Sequence, residues 1–62
     1  MNILFISKVL SSRSIKCKVL QVSRINGIGY VKVKVNSIKD VKVIRDNILS
    51  ILSVEELYLD IV

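Results

Sequence analysis

The sequence predicts an α+β domain with an antiparallel sheet and one or two helices on one face, in the approximate order (α)ββαβ. Apolar residues alternate over Tyr30–Val35, follow helical spacing over 41–51, and alternate again over 57–61. These changes of period indicate a strand, a helix and a second strand. The one strong turn signal, Asn26-Gly27, comes just before this run and would join its first strand to an earlier one.

The first twelve residues fit either of two structures. Met1–Ser7 would form a strand that ends in a turn at Ser11-Ser12, or Asn2 would cap a short helix. The clustered apolar pattern, broken only by Lys8, favours the helix. Its inward side chains would be Ile3, Ile6, Val9 and Leu10.

The Asn26-Gly27 dipeptide predicts a tight hairpin turn, because these residue types tolerate the two positive-φ positions of a type I′ turn. The flanking strands would run from Ser14 to Arg24 and from Tyr30 to Val35. In the second strand the core residues would be Val31, Val33 and Val35.

The register of this hairpin stays open at the level of sequence. A two-residue turn pairs Val22 with Val31, whereas a three-residue loop pairs Val19 with Val35. The first strand changes its apolar face along its length, and a β-bulge near Val19-Leu20 would let both apolar sets face the core. The bulge is the favoured interpretation.

The helix of the second half has a clear start. Ser37 can accept a hydrogen bond from the first turn, and Asp40 stands where an acid completes a capping box. The stripe predicted to face the core is Val41, Ile44, Ile48 and Ile51. Ser53 ends the helical pattern, and Val54 begins the last strand, with Leu57, Leu59 and Ile61 inward.

Composition limits the chain to one domain over residues 1–62, either complete or part of a larger protein. A chain this short buries only about 60% of its unfolded surface, so we expect an isolated monomer to be marginally stable. Its apolar content of 52% is high for the size. We therefore expect self-association, or attachment to other domains of a parent protein.

The net charge of +5 is unevenly distributed, because all five acids lie in the last 23 residues. The basic half predicts an anionic partner such as RNA, DNA or an acidic protein surface. The alternative is a solvated sheet face whose lysines discourage edge pairing. The candidate binding residues are Lys16, Lys18, Tyr30, Lys32 and Lys34.

The residue types needed for most catalysis are missing. The chain has no histidine and a single cysteine, Cys17, which we interpret as a core residue; one cysteine allows no internal disulfide. Glu55 and Glu56 would point to opposite faces of a strand. The sequence thus predicts no enzyme activity, cofactor or metal site. The lack of a secretory signal or membrane span predicts a cytoplasmic protein.

Several segments share the apolar spacing and caps of a known family. They are Ile6–Ser12, a strand from Ile15, the strand Val31–Val35 and the helical run Ser37–Val54. Together they resemble an ACT domain, most closely the one that ends the long RelA/SpoT-type (p)ppGpp synthetase/hydrolases. The resemblance implies a ferredoxin-like fold and a regulatory role in the stringent response.

The chain departs from the family pattern at three places. The family's first strand and the loop after it are missing, Ser53 replaces a usual glycine, and the arginine that often follows is replaced around Tyr58. The family's ligand site lies largely in that missing loop, so Asn2 is the nearest candidate ligand residue. A missing strand would also leave an open sheet edge.

Two functional hypotheses follow. The first is a non-catalytic regulatory domain that dimerises or docks through its sheet edge, in a larger protein that relays ribosome or amino-acid status. The second is a small standalone nucleic-acid-binding protein that uses the lysine-rich sheet face, with Tyr30 stacking on one base.

Overall fold

The computed structural model describes residues 3–62, which fold in the order αββαβ. The first segment is the helix that its apolar pattern favours, whereas Asn2 lies outside the described residues. A short 3-10 turn over Ile38–Asp40 precedes the second helix. The elements are α1 (Ile3–Ser12), β1 (Cys17–Ile25), β2 (Ile28–Val35), α2 (Val41–Leu52) and β3 (Glu56–Ile61).

The three strands form one sheet in the order β1-β2-β3, with β1 antiparallel and β3 parallel to β2. The sheet is therefore mixed, and the prediction of an antiparallel sheet is wrong. The reason is that α2 is a crossover connection, which returns the chain so that β3 runs in the direction of β2. In a ferredoxin-like unit such crossovers are split by another strand. Here β2 and β3 pair directly, and the N–H of Val62 donates to the carbonyl oxygen of Val33 (2.9 Å).

The hairpin confirms both the two-residue turn and the bulge. Asn26 and Gly27 have φ of 50° and 78°, as a type I′ turn requires. Val22 pairs with Val31, as the two-residue turn predicts, but Val19 pairs with Val33 because the register shifts between Val19 and Gln21. The three-residue loop is thus not formed. The shift lets Val19 and Val22 both face the helices.

The core lies between the helices and one face of the sheet. No polar or charged residue is buried in the part of the chain that the structure describes. The α2 stripe differs in detail from the predicted one: Ile44, Ile48 and Leu52 are fully buried, while Val41 and Ile51 flank them half-buried. The core residues are Ile6, Leu10, Val19, Val31, Val33, Ile44, Ile48, Leu52 and Leu57.

Local hydrogen bonds fix the start of α2, though not as a capping box. The Ser37 hydroxyl accepts from the N–H of Lys39 (3.3 Å), so it caps the 3-10 turn. Asp40 occupies the N-cap position of α2 without a side-chain capping bond. Because the turn intervenes between Ser37 and α2, the predicted reciprocal bond does not form.

The end of α2 needs an unusual backbone conformation. Ser53 is left-handed, with φ of 53° and ψ of 47°, and its N–H donates to the carbonyl oxygen of Leu49 (3.0 Å). The guanidinium of Arg24 donates to the carbonyl oxygen of Leu52 (3.0 Å). A cation at this position also interacts favourably with the helix dipole.

Gly29 sets how closely α2 approaches the sheet. A Cβ at this position would lie 3.0 Å from Leu52, 3.2 Å from Leu57 and 3.3 Å from Val54. All three contacts are tighter than ordinary van der Waals packing. The glycine is therefore required for close approach and not for turn geometry.

Candidate binding surface on the uncovered sheet face

Both helices cover the same face of the sheet, so the opposite face has no covering layer within residues 3–62. We call it the outer face. The strand register arranges its side chains in four rows. From the hairpin end these rows are Ile25-Ile28-Glu56, Ser23-Tyr30-Tyr58, Gln21-Lys32-Asp60 and Lys18-Lys34.

The second row contains a pair of stacked tyrosines. Parallel pairing of β2 with β3 places Tyr58 beside Tyr30, with ring centroids 5.4 Å apart and an interplanar angle of 12°. The side chains remain 42% and 56% exposed, respectively. The Tyr58 hydroxyl donates to the Glu56 carboxylate (3.4 Å). Each ring covers one face of the other, so each has its second face available.

The fourth row places two lysines directly opposite each other. Lys18 pairs with Lys34 across the β1–β2 ladder, and Lys16 lines the same surface depression. Like charges at opposed positions of a sheet are mutually destabilising. In the described part of the chain the ion pair found is Lys42–Asp46 on α2, remote from this row. An anion bound here would relieve the repulsion.

The third row carries both signs of charge. Lys32 pairs with Asp60 in the β2–β3 register, and Glu56 lies two rows further toward the hairpin. The outer face therefore has a basic end and an acidic end, with the tyrosines between them. Its field is positive mainly around Lys16, Lys18 and Lys34.

The predicted site residues are brought together in part. Lys18, Tyr30, Lys32 and Lys34 lie on the outer face, and Lys16 lies just before β1 at its basic end. Asn2 is outside the described residues.

Sequence reasoning missed Tyr58, Asp60 and Glu56 as members of this surface. The period-two pattern of Leu57, Leu59 and Ile61 turns the intervening residues outward, which was a usable signal. What it lacked was the strand order, because only direct pairing of β3 with β2 brings Tyr58 to Tyr30.

The remaining reactive group faces the helices. Cys17 is half-buried, and burial raises the pKa of its thiol, which favours the protonated form. Over residues 3–62 no cluster of three or more His, Cys, Asp or Glu side chains is placed to hold a metal ion. The arrangement on the outer face is suited to binding and contains no evident nucleophile with its base.

The two edges of the sheet differ in their protection. The β1 edge is interrupted by the bulge and carries Lys18, both of which discourage pairing with another strand. The β3 edge has six residues with neither bulge nor lysine. Since Glu56 and Val62 donate toward β2, the backbone groups of the alternate residues Leu57, Leu59 and Ile61 point to the open edge.

No helix among the described residues is long and apolar enough to cross a membrane. Comparison of the chain with protein-family models, with curated proteins and with solved structures gave no match.

Proposed function

We propose that this chain is a non-catalytic interaction domain that dimerises, or docks onto a parent protein, through the edge of β3. The observation that carries the proposal is the unprotected edge, a regular strand whose outward N–H and C=O groups have no neighbour in the sheet order. Such an edge is a template for pairing with a further strand.

The side chains along β3 favour the same surface. Ile61 is 39% exposed and Val62 64% exposed at the end of the strand. A second strand would cover this apolar area and pair the open backbone groups together. The added burial would also stabilise a domain of 62 residues, which is marginal on its own.

The finer proposal is a cytoplasmic regulatory module of the ACT type, as in a stringent-response (p)ppGpp synthetase/hydrolase. The αββαβ order supports it. So does the left-handed conformation of Ser53, at the position where that family usually has glycine. The direct β2–β3 pairing is a departure, because the ferredoxin-like unit separates these strands.

The experiment compares self-association of the wild type with two variants of one edge residue. Ile61→Pro removes an outward N–H without removing a donor to β2, whereas Ile61→Ala removes the side chain but keeps that donor. Light scattering coupled to size-exclusion chromatography gives the mass, and circular dichroism checks the fold.

We expect a wild-type dimer at high micromolar concentration, which Ile61→Ala retains and Ile61→Pro loses while staying folded. A wild-type monomer at this concentration would contradict docking between copies. Equal weakening by both variants would assign the contact to the side chain instead of the strand edge.

A further inference from the structure

We propose that the outer face binds single-stranded nucleic acid, with the bases on the tyrosine pair and the phosphates at the lysine end. This site is separate from the β3 edge, because it uses side chains that project from the sheet. It takes a polyanion with planar, stackable groups, which describes a single strand of RNA or DNA.

The aromatic part of the argument rests on the Tyr30–Tyr58 pair. Proteins that bind single strands present aromatic side chains on which successive bases stack. The two rings are already in contact at 5.4 Å, so a base would stack on the outside of the pair and not between the rings. Neighbouring strands thus provide one platform with two usable faces.

The electrostatic part rests on charge complementarity at the basic end. Lys18 and Lys34 oppose each other with Lys16 beside the same depression. Lys34 lies four residues from Tyr30 on the same strand, about 13 Å along β2. A strand whose bases reach the tyrosines would therefore lay its backbone across these lysines.

The acids of the face give the site a direction. Asp60 is next to Lys32, and Glu56 lies on the hairpin side of the tyrosines. Phosphates are repelled there and attracted at the Lys18–Lys34 end. Duplex nucleic acid buries its base faces in its own stack, so it cannot use the tyrosine platform.

The test is fluorescence anisotropy with a labelled oligouridine of about ten nucleotides, within the site sizes of single-strand binders. Affinity is measured at about 50 and 200 mM salt, and a duplex of equal length is the comparison probe. Tyr58→Ala and Tyr30→Ala remove the platform, and Tyr58→Phe restores the ring without the hydroxyl. Lys32→Glu with Lys34→Glu reverses charge on the outer face. Lys8→Glu with Lys39→Glu is the matched control, because it changes net charge equally elsewhere.

We expect each tyrosine-to-alanine variant to weaken single-strand binding about fivefold or more, and Tyr58→Phe to bind like the wild type. Reversal of the outer-face lysines should flatten the slope of log affinity against log salt by about 1.4, or about 0.7 per lost phosphate contact. The control pair should leave the slope near that of the wild type.

Three results would overturn the proposal. They are no wild-type binding at the lower salt, equal effects of the two lysine pairs, and duplex binding as tight as single-strand binding with no effect of the tyrosines. If Tyr58→Ala abolished self-association while the wild type bound no nucleic acid, the face would instead be an interface between copies. Because Ile61→Pro tests the β3 edge separately, either proposal can fail while the other holds.

Discussion

The two faces of the sheet have opposite compositions. The inner face contributes Val19, Val31, Val33 and Leu57 to a core in which the described residues bury nothing polar. The outer face has opposed lysines and a solvent-exposed tyrosine stack. Burial of apolar area explains the first set. Folding does not require the second, so the second set is where a binding function is to be sought.

The largest expected effect comes from a cavity on the inner side. Ile48 is fully buried, and Ile48→Ala should destabilise the domain by about 2–5 kcal/mol. A domain of this size has only a few kcal/mol of stability in total, so we expect the variant to be largely unfolded by circular dichroism. Gln21→Ala on the outer face is the control, with a change within about 0.5 kcal/mol. Comparable losses in urea titrations would break the contrast between the faces.

Overpacking the inner face should have the next largest effect. Gly29→Ala forces a Cβ against Leu52, Leu57 and Val54, and we expect a loss of about 1–3 kcal/mol. Leu52→Val removes a methylene from the tightest of these contacts. The double variant should therefore lose less stability than the sum of the single variants in urea titrations. Strict additivity would show that Leu52 does not set the helix–sheet distance.

Relief of backbone strain should stabilise the inner layer modestly. Ser53 is left-handed at the end of α2, and Ser53→Gly should raise the free energy of unfolding by about 0.5–1 kcal/mol. Ser50→Gly, an exposed position inside the same helix, should lower it by a similar amount. The two melting temperatures should move in opposite directions, and a shift of both in the same direction would contradict this assignment.

The smallest expected effect separates the two ends of the outer face. Lys34→Glu removes the repulsion from Lys18 and should stabilise by about 0.2–1 kcal/mol. Lys32→Glu places a second acid beside Asp60 and should destabilise by a similar amount. Both changes should shrink in about 1 M salt, where screening is nearly complete. Changes of the same sign would show that the register does not determine these charge contacts.

Most of the inner face could be predicted from local pattern. The period of the apolar residues located all the main elements, and Asn26-Gly27 together with the switch of apolar face in β1 indicated both the turn and the bulge. Each of these signals is contained in a few neighbouring residues, because alternation and turn chemistry are local properties.

The outer face was harder to predict, because it depends on which strands are neighbours. Whether β3 pairs directly with β2 is decided by the packing of α2 across the sheet, and no local signal specifies it. The parallel pairing, the Tyr30–Tyr58 stack and the Lys32–Asp60 contact all follow from that one choice. The lysines and Tyr30 were predicted because the hairpin alone aligns them.

The most direct test of the contrast between the faces is an NMR titration of the isotopically labelled chain with oligouridine. The account predicts that the largest shift changes occur at the rings of Tyr30 and Tyr58 and at the side chains of Lys18 and Lys34, with the α1 and α2 side chains unaffected. Changes centred on α1 or α2, or no changes at all at low salt, would contradict it.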